Sequence, residues 1–184
     1  MRLETERLVL RDWRTSDVKD LVEGLNDPEV AKWLSLVPHP YTKEHAKQWL
    51  HYCAEVYGTG KKRGYYELAI ELKSERKVIG VVSIIKIDRF QGTAGGGIWI
   101  SAEYQRQGYG TEAFGARLRF AFEKLKLRRL ENGLLKGNAS SLRMQKRFGY
   151  RIEGLRRKGV RCMADGKLKD EYMTALLKEE WKDA

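Results

Sequence analysis

Cysteine is nearly absent: Cys53 and Cys162 are the two in 184 residues, too few for a disulfide framework or a zinc cluster. Long apolar runs are missing as well, and nothing approaches the roughly 18 consecutive apolar residues of a membrane span. The opening Met1-Arg-Leu-Glu-Thr-Glu-Arg7 is charged from its second residue and lacks the apolar segment of a secretory signal. These shortages exclude a disulfide-rich secreted protein, a membrane protein and a zinc finger, and the expected location is cytoplasmic. Asn and Gln together number eight, a scarcity that would suit a heat-stable protein. Repeats, low-complexity tracts and linker-like stretches are also lacking, so residues 1–184 are expected to form one domain.

What the chain does have is positive charge. Lys and Arg number 36 against 25 Asp and Glu, a net +11. Residues 1–92 carry 16 basic and 14 acidic side chains, +2, whereas residues 93–184 carry 20 and 11, +9. A field of that sign concentrates anions, whether a polyphosphate cofactor, a nucleic acid or an acidic protein.

Periodicity assigns the elements. Leu8–Trp13 alternates as a short strand, Val18, Leu21, Val22 and Leu25 have helical spacing, and Asp27-Pro28 can start a further turn. Thr42 can cap a helix whose apolar face carries Ala46, Trp49, Leu50 and Cys53. Gly58–Gly64 reads as an exposed basic loop. Strands are expected over Tyr65–Leu72 and Val78–Ile87, then at Ile98-Trp99-Ile100 and Leu130–Leu135, and helices over 108–127 and 139–148. Two apolar runs around Ala164-Asp165-Gly166 end the chain. This order implies an α/β fold with one mixed sheet, antiparallel in its N-terminal part and with parallel crossovers later, flanked by helices.

Chemistry concentrates in two places. Gln105-Arg-Gln-Gly-Tyr-Gly110-Thr111 joins the strand Ile98–Ile100 to a helix. Glycines at such a turn let backbone amides approach an anion, and the helix N-terminus adds positive potential. No Gly-Lys-Ser/Thr follows, and the third glycine of a dinucleotide fingerprint is missing. The second place is Asn138-Ala-Ser-Ser141, followed by Arg143, Lys146, Arg147 and Phe148-Gly149-Tyr150.

With these elements in this order, the chain resembles the GNAT superfamily of acetyltransferases. It is most similar to the RimJ/RimL branch, which acetylates the N-termini of ribosomal proteins. Glu6-Arg-Leu-Val-Leu-Arg11, Asn26-Asp-Pro-Glu-Val30, Pro40-Tyr-Thr42, Trp49-Leu50, Thr111-Glu-Ala113, Glu153-Gly154, Asp170 and Glu180-Trp181 extend the likeness over nearly the whole chain. The resemblance implies that Gln105, Arg106, Gln107, Gly108, Tyr109, Gly110 and Thr111 hold the pyrophosphate of acetyl-CoA. Ile98, Trp99 and Ile100 would pair with the pantetheine arm, with a backbone N–H near Trp99 or Ile100 polarising the carbonyl. Asn138 would bond the pantetheine, and basic residues of the next helix would face the adenosine phosphates. No metal is implied.

Many GNAT enzymes carry a Tyr acid seven residues after the Asn. Gln145 stands there and cannot act as an acid, so the resemblance assigns protonation of the thiolate to Ser141, with Tyr150 as the fallback. Relatives often carry a carboxylate at the cofactor strand where this chain reads Gly95-Gly-Gly-Ile-Trp-Ile100. The base is therefore open between Glu67, Glu153, His39, the other histidines and water. The expected reaction is direct attack by an amine in a ternary complex, most simply the α-amine of a protein such as a ribosomal protein. Polyamine or aminoglycoside acceptors, and a basic RNA- or ribosome-binding module, are the alternatives. The chain is expected as a monomer or homodimer, without a membrane partner.

Overall fold

The computed structural model describes residues 1–56 and 63–182. Within them the strands are β1 (Arg2–Glu4), β2 (Leu8–Arg11), β3 (Tyr66–Leu72), β4 (Lys77–Asp88), β5 (Thr93–Gly95), β6 (Ile98–Ile100), β7 (Arg129–Leu135), β8 (Arg151–Arg161) and β9 (Leu168–Leu177). The helices are α1 (Val18–Asn26), α2 (Pro28–Ala31), α3 (Lys43–Val56), α4 (Tyr109–Arg119) and α5 (Ala139–Arg147). A π-helical turn, Phe120–Lys124, prolongs α4. The sheet order is β1-β2-β3-β4-β5-β7-β9-β8, with β6 pairing β4 off that path.

Alternation in β3 sets the two layers. Tyr66, Leu68, Ile70 and Leu72 face a core closed by Ala113, Phe114, Leu118 and Phe122 of α4 and its extension. Across the sheet, α1 and α3 bring Leu21, Leu25 and Ala46 together with Trp49 and Trp99. On that side Arg11 is buried, with Nη1 2.7 Å from Asp17 Oδ2 and Nε 2.5 Å from Glu71 Oε2. This clamp fixes the chain where it leaves the sheet for α1. Among the described residues no helix is long and apolar enough to cross a membrane.

Three details differ from the sequence expectation. Among the described residues a single pair, β5 with β7, is parallel (Thr93↔Arg129, Ala94↔Leu130). The crossover through α5 lands one strand position out, and the tight return at 162–167 lays β9 into the gap, antiparallel to both β7 and β8. Strands β1 and β5 carry no periodic signal, because three residues are too short to display one. Of the expected exposed loop 58–64, residues 58–62 lie outside the described residues, but Arg63 is buried. Its Nη2 lies 2.6 Å from Asp12 Oδ1 and its Nε donates to Tyr65 O at 2.9 Å.

Candidate active site

The sheet divides at a bulge. β5 pairs with β4 at Ile85↔Gly95 and with β7 at Ala94↔Leu130, whereas β6 keeps to β4 through Gly80↔Ile100 and Val82↔Ile98. Between them Gly96 has φ +146°, and a Cβ there would sit 2.1 Å from Ser83 O, so a side chain does not fit. Ser83 holds the bulge: its Oγ accepts from Gly97 N at 2.9 Å and its own N donates to Gly97 O at 2.9 Å. Beyond it β7 continues on β9 to Leu135. The facing edges of Ile98–Ile100 and Asn132–Leu135 share no ladder, which leaves backbone groups for an extended, amide-bearing chain to pair with.

Arg117 of α4 fills the root of this split. It is 2 % exposed. Its Nε donates to Ser83 O at 2.6 Å, Nη1 to the Tyr150 hydroxyl at 3.2 Å, and Nη2 to Asn132 Oδ1 at 3.2 Å and Gly95 O at 3.4 Å. The guanidinium thus takes up carbonyls that the parting strands would otherwise leave unpaired. One arginine on the apolar face of α4, among Ala113, Phe114 and Leu118, is the sequence signal for this wedge.

At the other end of β6 the loop 105–108 turns into α4. Gln105 Nε2 donates to Ile100 O at 2.8 Å, fastening loop to strand. Arg106 and Gly108 both have left-handed backbone, φ +61° and +87°, a conformation that gathers successive amides into an anion-binding concavity. The amides of Tyr109, Gly110 and Thr111 form the first helical turn and have no intrahelical acceptor. The loop is fastened from beneath by Arg7, whose Nη1 donates to Gln107 O at 3.0 Å and whose guanidinium lies 4.5 Å over the Tyr109 ring. Glu112 accepts from Arg7 N and Nε at 2.8 and 2.7 Å and from Thr5 Oγ1 at 2.6 Å. Burial opposes its ionisation, but these hydrogen bonds outweigh burial and hold its carboxyl below the ordinary range. Glu112 is thereby the anchor of the loop.

Asn138 caps α5, its Oδ1 accepting from Ser141 N at 3.1 Å. Ser141 is half-buried on the first turn, and Gln145, one turn on, is buried with Nε2 3.3 Å from Ser141 Oγ. Arg143, Lys146 and Arg147 are exposed along α5. The fallback acid, Tyr150, is committed to the core: burial pushes its phenol up, and Arg117 donates to its oxygen.

The candidate bases separate cleanly. Glu153 is exposed, and its hydrogen bonds from Arg129 (Nη1 to Oε1, 2.9 Å) hold its carboxyl below the usual range. His39 is exposed in the connector before α3. Glu67 is 8 % exposed and stands in register opposite Ser83, the residue that holds the bulge. Burial pushes its carboxyl up to about 7, against the pull of the Arg117 charge. A carboxylate so tuned can take a proton near neutral pH. The split, the amide concavity and the α5 cations together suit a pantetheine arm carrying polyphosphate, so these residues fit acetyl-CoA.

Comparison with known proteins agrees. Residues 7–151 match the family described as acetyltransferase (GNAT) domain. The uncharacterized N-acetyltransferase YnaD of Bacillus subtilis is 29% identical over 182 residues, covering 98% of this chain and 99% of its own. A Vibrio cholerae structure, described provisionally as a ribosomal-protein-serine acetyltransferase, superposes with TM-score 0.79 at 26% identity, over 96% of this chain and 97% of the other. The ribosomal-protein-S5-alanine acetyltransferase of Vibrio fischeri shares the fold, with TM-score 0.83 at 24% identity over 99% of each chain.

Proposed function

The chain belongs to the GNAT acetyltransferase family, and from that premise we propose that it acetylates the N-terminal α-amine of a protein. Acetyl-CoA supplies the acetyl group: the amine gains a C–N bond as the thioester C–S bond breaks, one proton leaving nitrogen and one reaching sulfur.

The residues divide this work. The amides of Gln105–Thr111 hold the pyrophosphate, and Ile98–Ile100 with Asn138 align the pantetheine. A backbone N–H at Trp99 or Ile100 polarises the carbonyl. Glu67 accepts the amine proton, directly or through water, and Ser141 supplies the proton to sulfur.

The observation that supports the acceptor assignment is the burial of Glu67 opposite Ser83 at the bulge, which pushes its carboxyl up to about 7. A base of that strength is within about a unit of an α-amine, whose reference value is about 7.7–8.0, and more than three units short of a lysine at about 10.4. The description of the Vibrio cholerae structure as a ribosomal-protein-serine acetyltransferase supports the same reading.

The test is thiol release from acetyl-CoA with peptides beginning in Ser or Ala, the same peptides blocked at the N-terminus but carrying lysine, and polyamines. Release confined to free N-termini is the expected result. Release on polyamines or on lysine alone would overturn the assignment.

A further inference from the structure

Gln145 stands where a tyrosine acid is common in relatives, yet its side chain points to Ser141. Its amide has a partner at each end. Thr174 Oγ1 of β9 lies 2.6 Å from Gln145 Oε1, and Gln145 Nε2 lies 3.3 Å from Ser141 Oγ. Gln145 and Thr174 are 3 % and 2 % exposed, so neither shares its bonds with bulk water. Thr174 Oγ1 also lies 3.1 Å from Asn132 O, on the strand that borders the split.

Thr174 has one hydroxyl proton and two acceptors in reach, Gln145 Oε1 at 2.6 Å and Asn132 O at 3.1 Å, and the shorter contact takes it. A separation of 2.6 Å is ordinary for O–H···O and short for N–H···O, whereas 3.3 Å suits a long N–H···O contact. The amide oxygen therefore faces Thr174 and the amide NH2 faces Ser141. A serine oxygen that accepts from an amide keeps its own O–H available as a donor.

We propose that Gln145, held by Thr174, is a positioning residue that makes Ser141 a proton donor to the departing thiolate. The inference rests on the acid role assigned to Ser141 above. It explains how this chain does without the tyrosine: the acid is a weaker one, set in polarity by a buried amide on the next helical turn.

The test has two readouts. The first is the fraction of enzyme-bound CoA present as thiolate, measured by its ultraviolet absorbance at fixed pH; it requires no acceptor, so it stands even where the acceptor assignment fails. The second is kcat with KM for acetyl-CoA. The Ser141→Ala variant is expected to lower kcat about 100-fold, a usual size for a lost acid. Gln145→Met and Thr174→Val should each lower kcat about tenfold, with KM for acetyl-CoA held within about threefold. Gln145→Glu presents an acceptor to the serine proton and should approach the loss of Ser141→Ala. Thr174→Ser keeps the hydroxyl and should restore activity. Each disabling variant should lower the bound-thiolate fraction, and in a Ser141→Ala background Gln145→Met should add less than about a twofold further loss.

Equal losses from Gln145→Met with and without Ser141 would reduce Gln145 to a staple between α5 and β9 and overturn the proposal. Unchanged kcat and thiolate fraction in Gln145→Met and Thr174→Val would do the same. Full turnover and an unchanged thiolate fraction in Ser141→Ala would remove the acid role itself, a pattern distinct from either.

Discussion

Arg7 and Glu112, 105 positions apart in sequence, meet through a 2.7 Å Nε–Oε2 contact and a 2.8 Å bond from the Arg7 amide to Oε1. The pair joins the turn before β2 to the first turn of α4, so the amide concavity depends on a residue outside its own segment. Glu112→Gln is expected to cost about 1.5–3 kcal/mol of stability, the range for hydrogen bonds to a charged group, and to weaken acetyl-CoA binding. The pH dependence has a definite sign. Because the folded carboxyl is held low, its stabilising contribution is present above the unfolded pKa and lost as pH falls through the folded one. Denaturant titrations of wild type and variant should converge in acid, and a constant difference across pH would refute the linkage.

Gly108 has φ +87°. A Gly108→Val variant must hold a β-branched residue there, at a cost of about 1–2 kcal/mol, or turn the amides of the loop away. Calorimetry should show acetyl-CoA bound at least about tenfold more weakly, a change of about 1.4 kcal/mol, while the domain still folds. An unchanged affinity would detach the loop from the pyrophosphate.

Arg117→Met should be the most destabilising of these changes. It strips hydrogen bonds from Ser83 O, Asn132 Oδ1 and the Tyr150 hydroxyl in a dry environment, with an expected loss of about 3–5 kcal/mol. Wherever the variant still folds, the Glu67 carboxyl should titrate higher, since the Arg117 charge is what draws it down. Urea midpoints check the first expectation and the pH–rate profile the second.

Glu67→Gln should lower kcat by about 100-fold and abolish the rise in rate as pH increases through about 7. Its effect on stability runs the other way. A carboxyl raised from 4.5 to about 7 binds its proton more tightly when folded, so stability falls as pH rises between those values. The glutamine variant, free of that ionisation, should therefore gain in melting temperature over wild type at pH 8 and lose that gain near pH 4. A retained alkaline limb in the rate profile would pass the base role to water or another group.

The expectations drawn from sequence divide along a physical line. Local signals were sufficient for the long strands, for the helix after Gly108, for the Asp27 and Thr42 caps, and for the placement of Asn138 at the start of α5, because periodicity and capping act within a turn or two of chain. The glycine loop and the Asn-x-x-Ser helix were legible for the same reason.

What needed the tertiary structure was every feature made by residues distant in sequence. Strand β9 entered between β7 and β8 because a tight return finds the open edge, a choice no local period encodes. Glu67 and Glu153 are equivalent glutamates in strand-forming segments when read along the chain. Folding buries one against the bulge and exposes the other to Arg129, and that difference in solvation sets their affinities for a proton. Gln145 looked like a lost acid until its amide was seen between Thr174 and Ser141. The sequence alone determined which backbone segments could form and which residues could carry chemistry. The tertiary structure decided their environment, because burial and hydrogen-bond polarity belong to the neighbours that folding supplies.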